Sequence, residues 1–295
     1  MAASRVISLR PWYHPLFMIQ YAILFPTFVY GGICLYLYRV QNTLTYPREA
    51  TGAILSKEQA IKNARASNLV PWDHPTPGAA SPQGYVRPDF AHPAPRGTIV
   101  VFHGNGDWAW SRKEYVDAFS QRGFRVFLYE YPGYGGRPGL PSEAAIVPDA
   151  QALVRSLAQA GYGPVYVWGE SLGAGVAASV CADPALPVQG LALLTPWDNI
   201  ANVGLSLYPY IPVRQLMTDK YDSIANLQHF PHPICVIRST QDEVIPAPLT
   251  LNLFAHLPDP KKMILQEGYG HEDWPRSPDL AWWDDALNFI APKKT

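Results

Sequence analysis

The chain has 295 residues, 48% of them hydrophobic, and a formal net charge of −1. That length fits one large domain with an appendage, and the apolar content sets the chain apart from disordered polymers. Near-neutral charge, with no basic block beyond Lys293-Lys294, excludes an electrostatic nucleic-acid binder.

Residues 1–15 read as a short N-terminal arm. Leu16 to Tyr38 then carries no charged residue. As a helix this run spans roughly 35 Å, enough for a bilayer core of about 30 Å. Trp12 and Tyr13 flank one end and Tyr36, Tyr38 and Tyr46 the other, the pattern of aromatic residues at membrane interfaces. Pro26 and Gly31-Gly32 weaken a helix in water but are tolerated in lipid. The run is too long for a signal-peptide core, and no small-residue cleavage site follows it. We expect residues 16–38 to be a transmembrane anchor and the protein to be single-pass. The competing reading is an apolar helix packed on the domain or lying in the membrane interface. Arg5 and Arg10 on one side nearly balance Arg39 and Arg48 on the other, so orientation is weakly specified, with a slight lean to a cytosolic N-terminus.

Residues 39–96 read as a linker and proline-rich strap. Ser56 is a candidate N-cap, with Gln59 completing a capping box, for a short helix to Asn68. Leu69 to Pro95 is rich in proline, and one short strand around Tyr85 and Val86 is expected there. From residue 97 a regular strand–helix rhythm begins. Thr98–Phe102, Phe124–Tyr129, Pro164–Trp168, Gln189–Thr195, Pro233–Ser239 and Lys262–Gln266 are short apolar runs, the signature of buried parallel strands. Helices are predicted from Arg112 to Arg122, from a Ser142 cap to Ala160 with a bend at Pro148, from Ala174 to Cys181, and from Asp279 to Ile290. This alternation predicts an α/β domain over 97–295, a mostly parallel sheet with helices on both faces. Residues 196–231 interrupt the rhythm without an obvious strand. They are read as a short helical lid insertion or one wall of a pocket, because they follow the carboxyl end of a strand. The three cysteines, Cys34, Cys181 and Cys235, are far apart and read as buried apolar residues, with neither zinc-ligand nor disulfide spacing.

The most informative stretch is Gly169-Glu170-Ser171-Leu172-Gly173, between an apolar strand and a small-residue helix. A strand turning sharply into a helix leaves no room for side chains beside the turn, so the glycines are required and Ser171 is presented as a nucleophile. A serine hydroxyl needs a base, and the base needs an orienting group. Asp242 follows the Pro233–Ser239 strand and is the expected orienting carboxylate, with Glu243 as runner-up. His271 follows the last strand and is the expected base. An oxyanion hole needs two backbone amides. One is expected from Leu172, the other from the loop after Phe102, through Asn105 first and Gly106 second. His103 reads as a brace of that loop. Trp108, Trp110, Trp197, Tyr208 and Trp274 are candidate walls of an apolar substrate pocket, alongside the alternative that they only pack the loops.

With these residues in place, the chain resembles the α/β-hydrolase superfamily, and within it the membrane-anchored α/β-hydrolase-domain type. The resemblance rests on TIVVFHGNG, RGFRVFLYEYPGYGGRPGLPSE, VYVWGESLGAG, STQDEVIP and GYGHEDW. It implies an α/β-hydrolase fold with Ser171, Asp242 and His271 as a catalytic triad and no metal or organic cofactor. Such proteins often open with an antiparallel strand pair, which the proline-rich strap leaves short or absent here. The function expected is cleavage of carboxylic esters, acyl-ester or lipid-like, with membrane contact through the N-terminal helix. Peptidase or thioesterase chemistry uses the same triad, and a non-catalytic membrane-anchored scaffold is the alternative from another class. Dehalogenase or epoxide hydrolase chemistry in this fold needs a carboxylate nucleophile, which Ser171 excludes.

Overall fold

A computed structural model describes residues 15–49, 52, 55–74, 83–94 and 96–293. Arg5, Arg10, Trp12 and Tyr13 of the expected arm, and positions 75–82 and 95 of the strap, lie outside the described residues. The chain divides into two compact units, Met1–Gln41 and Asn42–Thr295.

Helix α1, Pro15–Thr45, runs unbroken through Pro26. Within its stretch Gln20–Thr45 an 18-residue window has a mean hydropathy of 1.5, and the helix is long and apolar enough to cross a membrane. It therefore extends past the expected 16–38 boundary, because Arg39 to Thr45 continue the same helical turns.

Within the second unit, α2 covers Lys57–Ala66. The Ser56 hydroxyl accepts from the Gln59 amide at 3.2 Å, but the Gln59 side chain turns to Asn63 instead of closing the capping box. The strap contributes two short strands, β1 (Val70–Pro71) and β2 (Gly84–Val86). They pair antiparallel, and β2 pairs antiparallel with β4 (Arg125–Tyr129). β1 was not expected. Pro71 is tolerated because β1 lies on the sheet edge, where a missing amide donor costs no ladder bond.

The remaining strands are β3 (Thr98–Phe102), β5 (Val165–Glu170), β6 (Val188–Leu194), β7 (Ile234–Ser239) and β8 (Lys261–Gln266). They run parallel with β4, and among the described residues the sheet has eight strands in the order β1-β2-β4-β3-β5-β6-β7-β8. Strict alternation divides the side chains between two cores. Val100, Phe102, Val167, Leu193 and Val236 face one core. It is completed by α4 (Glu143–Gln159), α5 (Leu172–Val180), α8 (Ser223–Leu227) and α9 (Ala247–His256). Ile99, Val101, Trp168, Leu194 and Ile237 face the other, with α3 (Lys113–Ser120) and α10 (Ala281–Ile290). α4 continues through Pro148 as one helix. α9 was not expected, although prolines at the start of a helix are a known entry signal.

Residues 196–231 hold three short helices, α6 (Ile200–Leu207), α7 (Val213–Leu216) and α8. Their base is tied at buried Asp198. Its carboxylate accepts from Asn202 at 3.1 Å and from Asn252 at 2.7 Å, and its carbonyl accepts from the Ser223 amide at 2.9 Å.

Candidate active site

Ser171 stands between β5 and α5 with φ 53° and ψ −115°, a conformation that L-residues adopt rarely and at a cost of order 1–3 kcal/mol. The surroundings hold it there. Its amide bonds to the Leu194 carbonyl at 2.9 Å, and its own carbonyl accepts from Ala174 at 2.9 Å. The flanking glycines have no alternative. A Cβ on Gly169 would lie 2.2 Å from the Gly173 carbonyl oxygen, and one on Gly173 would lie 2.0 Å from that of Phe102. α5 can start this close to the sheet because its next residues are also small.

His271 follows β8, and its Nε2 is 2.8 Å from Ser171 Oγ. Its Nδ1 lies 3.0 and 2.9 Å from the two carboxylate oxygens of Asp242, in the turn after β7. Both side chains are 6% exposed, so the pair is shielded from water. Asp242 is itself aimed, since Oδ1 accepts from the amides of Val244 at 3.0 Å and Ile245 at 2.7 Å. Glu243 takes a different position: its Oε2 accepts from the His271 backbone amide at 3.2 Å and so holds the loop that carries the imidazole. The arrangement is able to draw a proton from a serine hydroxyl and to stabilise the imidazolium that results.

Facing Ser171 is the loop after β3. Leu172 supplies a free amide as the first residue of α5. Asn105 and Gly106 follow β3 in the loop His103–Asp107. Gly104 forms the near wall, and a Cβ there would meet Ser171 Cβ at 3.7 Å. Two hydroxyls from the loop after β4 brace this backbone: Tyr131 donates to the His103 carbonyl at 2.6 Å and Tyr134 to the Asn105 carbonyl at 2.9 Å. His103 is fully buried, with Nε2 3.0 Å from Glu130 Oε1 and Nδ1 2.7 Å from the Gly104 carbonyl. Burial pushes the Tyr131 phenol well above its usual range, so it remains a donor.

A charged cluster lies behind the elbow. Glu170, the residue before Ser171, is buried and takes two bonds from Arg112, Nε to Oε2 at 2.9 Å and Nη2 to Oε1 at 3.3 Å. Tyr115 donates to the same carboxylate at 3.0 Å. Arg112 Nη1 reaches Asp107 Oδ2 on the loop after β3. Burial opposes the charge on Arg112, but the Glu170 and Asp107 carboxylates outweigh it and hold the guanidinium above its usual range. Burial likewise opposes the charge on Asp107, and Arg112, the Ser111 hydroxyl and the Trp108 amide together hold its carboxyl below the usual range. Glu130, Arg112 and Glu170 escaped the sequence reading. The local signal for Glu170 was a carboxylate inside an otherwise apolar strand end.

The aromatic residues separate. Trp108 and Trp110, just past the loop after β3, stack with centroids 5.0 Å apart. Trp197 is buried over α5, where a Cβ on Gly175 would meet its ring at 3.0 Å. Tyr208 is exposed at the end of α6. Trp274 corrects the expectation of a pocket wall. It is 1% exposed and packs against Tyr115, Trp282 and Trp283 in the core under α3 and α10. Among the described residues no group of three or more His, Cys, Asp or Glu side chains is arranged to hold a metal ion.

A family model described as Hydrolase_4, serine aminopeptidase, S33, matches residues 93–224. The uncharacterized protein Rv2307c of Mycobacterium tuberculosis is 30% identical over 256 residues, covering 83% of this chain and 85% of its own. Lysophosphatidylserine lipase ABHD12 of Danio rerio is 29% identical over 175 residues, which is 53% of this chain and 46% of that protein. This chain thus spans about half the length of that lipase. Among solved structures, an α/β hydrolase from Vibrio vulnificus superposes with a TM-score of 0.58 at 17% identity, covering 85% of this chain and 92% of that one.

Proposed function

The chain belongs to the α/β-hydrolase superfamily, and from that premise we propose that it is a serine hydrolase acting on carboxylic esters of acyl or lipid-like substrates. The observation that carries this reading is the contact chain Ser171 Oγ, His271 Nε2, His271 Nδ1, Asp242 at 2.8 to 3.0 Å, built on a strained serine.

In this mechanism His271 Nε2 accepts the Ser171 hydroxyl proton as Oγ attacks the substrate carbonyl carbon. The negative charge moves to the carbonyl oxygen, which the amides of Leu172 and Asn105 receive, with Gly106 as the adjoining donor. Asp242 accepts from Nδ1–H and stabilises the imidazolium. The imidazolium then protonates the leaving alkoxide, and an acyl-Ser171 intermediate remains. His271 next takes a proton from water, and the hydroxide releases the acid and restores the serine.

Ester over amide is supported by the lipase relatives, named as acting on lysophosphatidylserine. A lipid source is supported by the apolar stretch Gln20–Thr45, which we read as a single membrane span, and by the exposed Leu207 and Tyr210 in the helical insertion 196–231. The peptidase reading takes its support from the serine aminopeptidase description of the matching family model. Two measurements test the proposal. The full-length protein should label with a fluorophosphonate, and Ser171→Ala should not. Its rates on p-nitrophenyl esters should rise with acyl length. A flat ester profile together with cleavage of aminoacyl amides would replace the esterase reading with the peptidase one. Full-length protein recovered in the supernatant after carbonate washing of membranes would remove the anchor.

A further inference from the structure

We propose that Arg112 is a positioning residue that sets the width of the oxyanion hole by bridging Asp107 on the loop side to Glu170 on the nucleophile side. The inference rests on the serine-hydrolase reading above.

A two-amide hole works only if its two halves keep a fixed separation, and here they come from different strands. The Leu172 amide is carried by the turn after β5 and the Asn105 amide by the loop after β3. The parallel ladder registers these strands as far as Phe102 opposite Gly169. The ladder between the two strands ends at that pair, so beyond it side chains and packing set their separation.

Arg112 spans this gap. It grips Glu170 through Nε at 2.9 Å and Nη2 at 3.3 Å, and Asp107 through Nη1. Glu170 is the residue before the nucleophile, and Asp107 is two residues after Asn105. A guanidinium is planar, with its donors in a fixed fork, so three bonds to two carboxylates make one rigid plate. Asp107 is held within its own loop, where Oδ1 accepts from the Trp108 amide at 2.8 Å and the Ser111 hydroxyl at 2.6 Å. Glu170 is carried by the end of β5, and its Oε2 also accepts from Tyr115 of α3 at 3.0 Å. The plate also lies directly behind the site. A Cβ on Gly104 would fall 3.7 Å from Ser171 Cβ and 3.9 Å from both Arg112 Nη2 and the Glu170 carbonyl oxygen, so Gly104 packs beside the guanidinium and the nucleophile alike.

A buried ion cluster by itself is weak evidence for stability, since apolar residues often replace one without loss. The joining of the two halves of the hole by a single cation is what assigns it to positioning.

The test uses the full-length protein with p-nitrophenyl ester as substrate and fluorophosphonate titration to count reactive sites. Asp107→Asn frees the loop side and leaves the Glu170 grip intact. Arg112→Lys keeps the charge but leaves one ammonium to serve two carboxylates. Each should lower kcat per titrated site by about 10- to 100-fold while KM changes by less than about threefold, the cost of displacing a group that acts only in the transition state. The double variant should be no worse than Arg112→Lys alone, because both changes break one bridge. Several outcomes overturn the proposal. One is a per-site kcat in Asp107→Asn within twofold of the parent. A second is a lower Tm and fewer titratable sites with per-site kcat intact, the result of a purely structural role. A third is additive losses in the double variant. Failure of the parent protein to label at Ser171 would instead overturn the serine-hydrolase reading, and this inference with it.

Discussion

His271 Nε2 lies 2.8 Å from Ser171 Oγ although the two residues are 100 positions apart. The contact exists because β5 and β8 end on the same side of one sheet, with β6 and β7 between them. The serine is held at φ 53°, so its reactivity and its strain share one residue. Ser171→Ala and Ser171→Gly should both abolish fluorophosphonate labelling. The two should differ in stability. Glycine adopts the elbow conformation freely, and relief of strain less its entropy cost leaves Ser171→Gly about 1 kcal/mol more stable than Ser171→Ala. Chemical denaturation of the two variants checks this.

Asp242 and Glu243 are neighbours with different partners, the His271 ring and the His271 backbone amide. Asp242→Asn should lower kcat by roughly 10⁴-fold, because an amide side chain favours the wrong imidazole tautomer. Glu243→Gln keeps an oxygen for the His271 amide and should cost less than about tenfold. Steady-state kinetics on one p-nitrophenyl ester, compared side by side, gives the answer. Equal losses would return the orienting role to Glu243.

Gly173 is the tightest point of the elbow, with a Cβ position 2.0 Å from the Phe102 carbonyl oxygen. The obstacle is backbone, so no rotamer change relieves it. Gly173→Ala should destabilise the protein by about 3 kcal/mol or more and reduce the yield of labelable protein accordingly. Gly161→Ala, in open space but at φ 81°, should cost clearly less. Thermal melts of both variants test the ranking.

Glu114 carries a pH signature. Its Oε1 is buried without a hydrogen-bond partner among the described residues, and the Arg276 guanidinium is 3.9 Å away. Burial pushes its carboxyl above the usual glutamate range, and Arg112 only partly counters this. A raised folded pKa means the folded state holds the proton more tightly. The corresponding stability is present below the unfolded value and is lost as pH rises through the folded value. At neutral pH Glu114 is therefore a cost. Glu114→Gln should raise Tm at pH 7, and the difference should shrink as pH falls toward 4. Differential scanning fluorimetry across that range would expose a constant offset if the carboxyl were well solvated.

The sheet was legible because its central strands are buried on both faces. Runs such as Thr98–Phe102 and Ile234–Ser239 have no polar position to blur them. Ser171, Asp242 and His271 were legible through chain order, since each follows a readable strand. The rest was set by contacts with no local trace. Arg112 and Glu170 are 58 residues apart, and nothing near either one announces the other. Trp274 seemed a pocket wall because it follows His271 closely, yet its ring turns to the α3 and α10 core, a choice of face that adjacency does not encode. α9 went unassigned from the sequence, although Pro246 and Pro248 stand at its start, where proline is an entry signal.

The order of the sheet also governs when the chain acquires its chemistry. The proposed nucleophile and its elbow are complete once β5, β6 and α5 have formed, but the imidazole arrives after β8, which among the described residues forms the far edge of the sheet. A nascent chain stalled before Lys261 therefore carries a serine with no proton acceptor. On the proposed serine-hydrolase reading such a chain should stay silent toward a fluorophosphonate, and labelling should report that the β8 edge of the sheet has closed.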